Sequence, residues 1–472
     1  MGNTELAFEP ATVLASKITS KEVSPVELVN LFCDRIEELD SQMNAYLTVD
    51  REGALQAARI AEQAVINGDH LGPLHGVPIS VKDLEMTKGL RTTGGSLLFQ
   101  DRVPQVDSIV VERVRQSGAV ILGKTNTPEF GLLGHTMNRL GDHCRNPWNT
   151  ERTTGGSSGG AGAALAAGLC TLATGSDGGG SIRIPASFCG VYGIKPSQGR
   201  VPRYAGALGP VVANQTSQSG PMTRTVRDSA LLLQALAGHD PRDPVSLRIK
   251  PDNYLAAAER GVTGMRLGWS PDFGYAIVDP EVFNVTEHAA LAFQEIGCSV
   301  EQVDLDLDNP YDSFMTIFGA NISAANGDML SKQDRLADYT VKWLTEGKKI
   351  TGTEYSAALG QVDIARAKFN DLFEMYDLLL SPAVPITAFP VGDPPSRIGD
   401  QEINPFWGYV QFTAIINGVG GPAASIPCGL SRDGLPIGLH IVGRPGDEAS
   451  VIAASAAFEQ ARPWANIRAV VS

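Results

Sequence analysis

Cysteine is scarce in this sequence, and its few residues are scattered. The chain of 472 residues has six cysteines with no CxxC pair among them: Cys33, Cys144, Cys170, Cys189, Cys298 and Cys428. This spacing offers neither a disulfide framework nor a zinc knuckle. We therefore expect a reducing compartment and no metal site.

Positive charge and long apolar runs are also lacking. Lysine and arginine number 38 against 52 acidic residues, and the resulting net charge of −14 repels phosphate backbones and anionic lipids. No apolar run reaches the roughly 18 residues of a membrane span. The opening MGNTELAFEP lacks the basic and apolar parts of a secretory signal. The sequence predicts a cytoplasmic protein with no nucleic-acid or membrane partner.

Helix signals alternate with short apolar runs along the chain. Ser24 and Pro25 predict the start of one helix, and Asp279 predicts the start of another that ends at Gly297. Apolar runs bounded by glycine and proline predict strands at 77–81, 119–122, 169–174 and 378–380. This alternation predicts an α/β fold. Because no repeat or linker divides the chain, we expect one large domain over residues 1–472.

Glycine is what the sequence has in excess, with 51 residues in 472 against an ordinary share of roughly 7%. Many of them fall in the stretch GGSSGGAGAALAAGLCTLATGSDGGG, residues 155–180. Backbone N–H groups of a glycine-rich turn can converge on an oxyanion. Ser181 directly follows three glycines, which is a suitable position for a nucleophile. A tight turn that opens a helix at Ser181 is the competing interpretation.

A serine nucleophile needs a base, and the residues leave few candidates. None of the seven histidines sits in a recognisable triad context. The G-x-S-x-G match at Gly155–Gly159 lacks the strand that precedes a nucleophile elbow. The Walker A match at Gly118–Thr125 has an apolar strand in place of a phosphate loop. Lys82 remains, either as a surface lysine or as a base whose pKa is lowered by burial.

Longer segments resemble the amidase signature hydrolases. The stretch from Gly155 to Val201 is similar to the defining signature of that family, and five further segments are similar to family motifs in the same order: GVPISVKD, ILGKTNTPEF, DLLLSPAVP, NGVGGPAASIPCG and DGLPIGLHIVG. The resemblance covers most of the chain. It implies a central mixed β-sheet covered by helices on both faces, a signature core at approximately 75–200, and a variable substrate-side segment at approximately 300–410.

The resemblance also implies a triad of a serine, a second serine in a cis peptide, and a lysine. By motif position, Ser181 is the nucleophile, Ser157 the bridging serine and Lys82 the base. Asp177 and Arg183 are expected to form an ion pair that braces the turn. The implied reaction passes through an acyl-enzyme and needs no cofactor or metal. Besides the Ser181 amide, the expected oxyanion hole comprises the amides of Gly178, Gly179 and Gly180.

The substrate is less determined than the chemistry. The resemblance places Phe130, Gly131 and Leu132 at the substrate, and this run is apolar. Six aromatic residues of the variable segment either line the site or belong to the core: Tyr311, Phe314, Phe318, Trp343, Phe406 and Trp407. The sequence therefore predicts a hydrolase of the C–N bond of small-molecule amides, either aryl or aliphatic acyl amides, with carbamates (urethanase activity) and esters as further substrates.

Two alternatives accompany this prediction. One is the glutaminase (A) subunit of a tRNA-dependent amidotransferase, which works inside a complex. It is disfavoured because no distinctive features of that subunit are recognised between the signature and the C-terminal motifs. The other is a catalytically inactive binding protein, against which the intact Lys82, Ser157 and Ser181 argue. The oligomeric state stays open, with a homodimer among the options.

Overall fold

The computed structural model describes residues 3–203 and 216–471. Its strands are β1 Tyr46–Val49, β2 Pro78–Lys82, β3 Val120–Thr125, β4 Arg145–Asn146, β5 Asn149–Thr153, β6 Leu172–Asp177, β7 Tyr192–Lys195, β8 Gln218–Thr223, β9 Arg266–Trp269, β10 Ser299–Gln302, β11 Leu378–Pro382, β12 Arg397–Ile398, β13 Gln401–Glu402, β14 Ala423–Leu430 and β15 Pro436–Gly443.

The α-helices of the described residues are α1 Asn3–Phe8, α2 Ala11–Thr19, α3 Pro25–Met43, α4 Arg51–Asn67, α5 Ile109–Gln116, α6 Gly159–Ala166, α7 Arg183–Cys189, α8 Val226–Leu236, α9 Tyr254–Ala257, α10 Pro280–Leu291, α11 Tyr311–Asn326, α12 Asp338–Gly347, α13 Gly352–Met375, α14 Thr413–Val419 and α15 Glu448–Ala461. Short 3-10 helices lie at Leu97–Phe99, Glu129–Gly131, Ala292–Ile296 and Gly327–Arg335.

Eleven strands form one mixed sheet in the order β1-β3-β2-β6-β8-β7-β14-β15-β11-β9-β10. The strand β2 pairs in parallel with β3 and β6, and β9 pairs in parallel with β11 and β10. The other neighbours in the sheet are antiparallel. The prediction of a single α/β domain built on a mixed sheet is confirmed.

Helices pack on both faces of this sheet, as expected. Successive side chains of a strand point to opposite faces, and β11 shows the consequence. Its Leu378 and Leu380 belong to a core shared with α10 and α15, whereas Leu379 belongs to a core shared with α13 and α14. Each strand of the sheet interior is therefore buried from both sides.

Local signals locate several elements correctly. Ser24 Oγ accepts a hydrogen bond from the Val26 amide, and the helix α3 begins at Pro25. The Asp279 side chain caps α10, and the helical segment that follows ends at Gly297 in the left-handed conformation. The four apolar runs form β2, β3, β6 and β11, with boundaries up to three residues further along the chain than predicted.

The parallel pairing of β2 with β6 determines where the functional residues meet. The carboxyl ends of parallel neighbours lie at the same edge of a sheet. Lys82 is the last residue of β2, and Asp177 is the last residue of β6. The glycine turn after β6 thus reaches the same edge as Lys82. In the described part of the chain, no helix combines the length and the apolar character needed to cross a membrane.

Candidate active site

A cavity of about 160 Å³ lies where β2 and β6 end. One part of its wall is apolar and another part is polar. Its lining residues are Leu84, Phe130, Gly131, Leu132, Ser157, Ser176, Gly178, Gly179, Ser181, Arg203, Ser217, Phe318, Asn321, Ile322, Ala325, Asn326 and Trp407. Two of the three predicted triad residues therefore line one cavity, and the third lies directly behind it.

That third residue is Lys82, which is fully buried. Its Nζ lies 2.7 Å from Ser157 Oγ, 2.8 Å from Ser158 Oγ and 3.0 Å from Ser176 Oγ. Burial lowers the pKa of Lys82 well below its ordinary value, and the nearby positive charge of Arg203 lowers it further, while Asp177 opposes the shift. A lower pKa increases the fraction of neutral amine, which can accept a proton.

Ser157 stands at the junction between an irregular segment and the helix α6. The peptide bond between Gly156 and Ser157 is cis. Ser158 precedes the first residue of α6. The backbone around Ser157 is closely packed: a Cβ on Gly156 would lie 2.8 Å from the backbone of His135, and a Cβ on Gly131 would lie 3.2 Å from Ser157 Oγ. Glycine at 131 leaves the room that the Ser157 hydroxyl occupies, and glycine at 156 allows the close approach of the His135 backbone.

Ser181 follows the glycine turn and precedes α7. It is 4% exposed, and its carbonyl accepts a hydrogen bond from the Ser158 amide at 3.0 Å. The two serine-containing turns are thus joined directly. The amides of Gly178, Gly179 and Ser181 form no hydrogen bond within the parts of the chain that the structure describes, whereas Gly178, Gly179 and Ser181 all line the cavity.

The amide of Gly180 differs from its neighbours. It donates a hydrogen bond to Asp177 Oδ1 at 2.7 Å, and Gly180 is not among the described residues that line the cavity. Its φ of +127° and the overlap that a Cβ would make with Thr413 Oγ1 both require glycine. The Gly180 amide, which is among the expected oxyanion donors, thus already has an acceptor inside the turn.

The turn is braced by a buried ion pair, which confirms the pairing expected from sequence. Arg183 Nε lies 2.9 Å from Asp177 Oδ2, and both side chains are fully buried. Arg183 also donates to the Thr413 carbonyl, to Asn417 Oδ1 and to His440 Nε2. Burial alone would raise the pKa of Asp177, but the charge and hydrogen bonds of Arg183 hold it below its usual value.

The predicted substrate residues Phe130, Gly131 and Leu132 all line the cavity. Phe130 has a φ of +53°, in the left-handed region that few bulky residues adopt. For six aromatic residues the sequence did not decide between a place in the site and a place in the core. Of these six, Phe318 and Trp407 line the cavity. The other four are not among the lining residues described: Tyr311, Phe314, Trp343 and Phe406.

Several residues of the site have no distinctive local sequence pattern. Ser158 and Ser176 contact Lys82, and the two neighbouring serines in GGSSGG together with the serine in GSDGGG are the only local hint of this. Thr413 and Asn417 contact the glycine turn from about 230 residues away, and Arg203 lies just beyond the signature. Their roles depend on long-range contacts that no local pattern reveals.

The motifs rejected from sequence have structural roles. Val120–Thr125 of the Walker match form the strand β3, and the buried Lys124 Nζ lies 2.6 Å from Thr87 Oγ1. His440 is buried beside Arg183. Within residues 3–203 and 216–471, no group of three His, Cys, Asp or Glu residues is placed to hold a metal ion.

Comparison with known proteins adds to this geometry. A family model described as Amidase matches residues 27–452. The Acylamidase of Rhodococcus erythropolis is 36% identical over 476 residues, which cover 99% of this chain and 98% of that protein. The A subunit of the Glutamyl-tRNA(Gln) amidotransferase of Moorella thermoacetica is 38% identical over 487 residues, 98% of each chain. The crystal structure of a bacterial aryl acylamidase of the amidase signature family has a TM-score of 0.91 at 34% identity and covers 97% of both chains.

Proposed function

This chain belongs to the Amidase family of amide-hydrolysing enzymes, and we propose that it is a free-standing acylamidase that uses Ser181, Ser157 and Lys82. The observation that carries this proposal is the 2.7 Å contact between Lys82 Nζ and Ser157 Oγ beside the cavity that Ser181 also lines. A buried amine with a lowered pKa next to a serine hydroxyl is the arrangement that general-base catalysis needs.

The proposed reaction begins with two proton transfers. Neutral Lys82 accepts the proton of Ser157, and Ser157 accepts that of Ser181, whose oxygen attacks the amide carbonyl. Ser157 then protonates the leaving amine and recovers a proton from Lys82, so the C–N bond breaks, the acyl group stays on Ser181 and Lys82 is neutral again. Water, deprotonated through the same residues, attacks the ester, and Ser157 returns a proton to the Ser181 oxygen as the carboxylic acid leaves. Every proton is thus accounted for within these three side chains.

We assign the oxyanion hole to the amides of Gly178, Gly179 and Ser181. They belong to residues that line the cavity, and none of the three donates a hydrogen bond within the described residues. Donors that are held in place before the reaction stabilise the oxyanion without reorganising. Gly180 has a different role in this proposal, since its amide holds the Asp177 carboxylate and thereby fixes the turn.

The substrates proposed are acyl amides, including aryl amides. Phe130, Phe318 and Trp407 give the cavity a wall that suits an aromatic or apolar group. The acylamidase and aryl acylamidase relatives support the same class. Carbamates and esters are further candidates because their carbonyls form the same kind of intermediate on Ser181.

A second candidate is the glutaminase component of an amidotransferase. The 38% identity to such a protein over nearly the whole chain favours it. In that case the protein would need partner subunits, and glutamine would be its amide substrate.

For the free-standing enzyme we propose a cytoplasmic location, which the six free cysteines support. We also propose that it is a monomer or a homodimer, and light scattering would distinguish these two states.

The deciding experiment uses the purified chain without any partner. It is given anilides, aliphatic amides, carbamates, esters and glutamine, and ammonia or amine release is measured. Turnover of anilides or aliphatic amides by the isolated chain supports the acylamidase. Turnover of glutamine alone, and only after partner proteins are added, would overturn it in favour of the second candidate.

A further inference from the structure

Arg203 is the one charged side chain among the described residues that line the cavity. It is half-buried, and its backbone amide donates to Asp243 Oδ2 at 2.7 Å, which fixes the main chain at this position. Its guanidinium forms no ion pair or hydrogen bond with the described parts of the chain. A half-buried cation that forms no ion pair is less favourable than one whose charge a bound ligand pairs.

The two acidic residues that act electrostatically on Arg203 form hydrogen bonds with other groups. Glu85 acts electrostatically on Arg203, yet its Oε1 accepts a hydrogen bond from Ser219 at 2.8 Å and its Oε2 accepts one from Ser108 at 2.7 Å. Asp243 accepts from the backbone amides of Arg203 and Val245. Both carboxylates thus accept hydrogen bonds from other groups, and neither forms an ion pair with the guanidinium of Arg203, which lines the cavity.

Polar side chains accompany Arg203 in the wall. Ser217, Asn321 and Asn326 line the same cavity and offer hydroxyl and amide groups. A Cβ on Gly178 would lie 3.5 Å from Ser217 Oγ, so this polar group begins beside the glycine turn. The cavity thus offers apolar side chains together with one cationic and several hydrogen-bonding side chains to a substrate.

We propose that Arg203 binds a carboxylate of the substrate, so that the preferred amides carry a negative charge close to the scissile bond. Guanidinium and carboxylate form paired, charge-assisted hydrogen bonds, which give both affinity and orientation. This inference rests on the proposed function, because the cavity binds substrate only if Ser181 is the nucleophile. The carboxylate belongs to either the acyl group or the amine, and the experiment distinguishes the two.

The test compares two matched substrate pairs. For the acyl side, succinanilic acid is compared with 4-methylpentananilide, which replaces the carboxylate with an isopropyl group. For the amine side, (4-acetamidophenyl)acetate is compared with 4′-isobutylacetanilide, in which a methylene keeps the leaving aniline electronically similar. We expect wild-type kcat/KM to be at least about 10-fold higher for the charged member of one pair. That pair identifies the side on which the carboxylate lies.

Variants of Arg203 then test the residue itself. Arg203→Gln should reduce the preference for the charged member to about twofold or less, mainly through KM, while Arg203→Lys should retain part of it as a point charge. Because the Arg203 charge also lowers the pKa of Lys82, rates are compared on the high-pH plateau of each variant. The proposal would be overturned if Arg203→Gln lowered kcat/KM equally for both members of each pair. It would also be overturned if the wild type showed no preference for the charged member of either pair.

A binding measurement separates this proposal from the proposed function. If no amide is cleaved, the acylamidase assignment fails, and the carboxylate site is still tested by calorimetry of Ser181→Ala with succinanilic acid and (4-acetamidophenyl)acetate. If one of these compounds binds and Arg203→Gln abolishes its binding, the carboxylate site is supported. If neither compound binds, the carboxylate site is contradicted. If Arg203→Gln does not fold, succinate and phenylacetate are tested as competitive inhibitors of the wild-type enzyme, with chloride at equal ionic strength as the control. Inhibition by one of the carboxylates beyond that by chloride supports the site, and inhibition equal to that by chloride contradicts it.

Discussion

Lys82 Nζ and Ser157 Oγ lie 2.7 Å apart although 75 residues separate them in the chain. The end of a fully buried strand supplies the amine, and the start of a helix of small residues supplies the hydroxyl. Neither side chain forms a salt bridge with the described residues, so the proton transfer proposed between them would not have to break one. The predictions below follow from this relationship and from the turn beside it.

Replacement of the base should slow the reaction and alter its pH dependence. For Lys82→Ala we expect a loss of about 10²–10⁴ in kcat, partly relieved at high pH where hydroxide replaces the amine. In the wild type, activity rises with pH as Lys82 loses its proton, and because burial lowers its pKa this rise lies well below the ordinary lysine value of about 10.4. The measurement is a pH–rate profile of both proteins, and an unchanged profile in the variant would exclude Lys82 as the base.

Removal of the nucleophile should stop acylation without affecting the fold. For Ser181→Ala we expect at least a ~10⁴-fold loss of kcat/KM, because no other described side chain replaces the attacking oxygen. Intact-protein mass spectrometry after mixing with substrate should show the acyl adduct on the wild type and none on the variant. Circular dichroism controls for folding. An acyl adduct on Ser181→Ala would show that another residue is the nucleophile.

The glycine at 180 should be irreplaceable. Gly180→Ala introduces a Cβ that overlaps Thr413 Oγ1, at a φ of +127°, so we expect a destabilisation of roughly 1–3 kcal/mol and a marked loss of activity. Gly434→Ala is a matched control, since Gly434 also has a positive φ but no neighbouring atom within 4 Å. Urea denaturation and kcat/KM are measured for both. Equal activity in the two variants would mean that the collision does not disturb the turn.

The buried ion pair should dominate the local stability of the turn. For Asp177→Asn we expect a loss of about 3–5 kcal/mol at pH 7, because Arg183 keeps its charge without a full partner. The folded-state pKa of Asp177 lies below its unfolded value of about 3.9, so this contribution is complete above that pH and is lost as the pH falls through the folded pKa.

The check on this prediction is urea denaturation of wild type and Asp177→Asn from pH 7 down to pH 3. The difference in the free energy of unfolding should be constant above about pH 5 and should shrink below it. A double-mutant cycle with Arg183→Met removes the effect of the unpaired charge. A difference that stays the same at pH 3 would contradict the assignment to the carboxylate.

Local features of the fold were accessible from sequence, and long-range features of the site were not. Caps such as Ser24 and Asp279 act within three residues of their own helices, so a short pattern reveals them. The roles proposed for Lys82, Ser157 and Ser181 came from resemblance over long segments, since a lysine at the end of a strand is by itself ambiguous.

The hydrogen bond of the Gly180 amide is a feature of the site that the sequence does not predict. In sequence, three successive glycines before a serine are equivalent donors, and only the position of the Asp177 carboxylate distinguishes them. Arg203 is similar, because only the folded chain shows that it lines the same cavity as Ser217, which precedes β8, and Asn321 of α11. Such relations arise from tertiary packing and have no local signature.

The connections of Arg183 have a consequence for the life of the newly made chain. All three proposed catalytic residues lie within the first 181 residues, but the arginine that secures the turn is held by Thr413, Asn417 and His440. Because synthesis proceeds from the N-terminus, these contacts form only when the chain is nearly complete. We therefore expect a nascent or prematurely released chain to be inactive although it carries every proposed catalytic side chain.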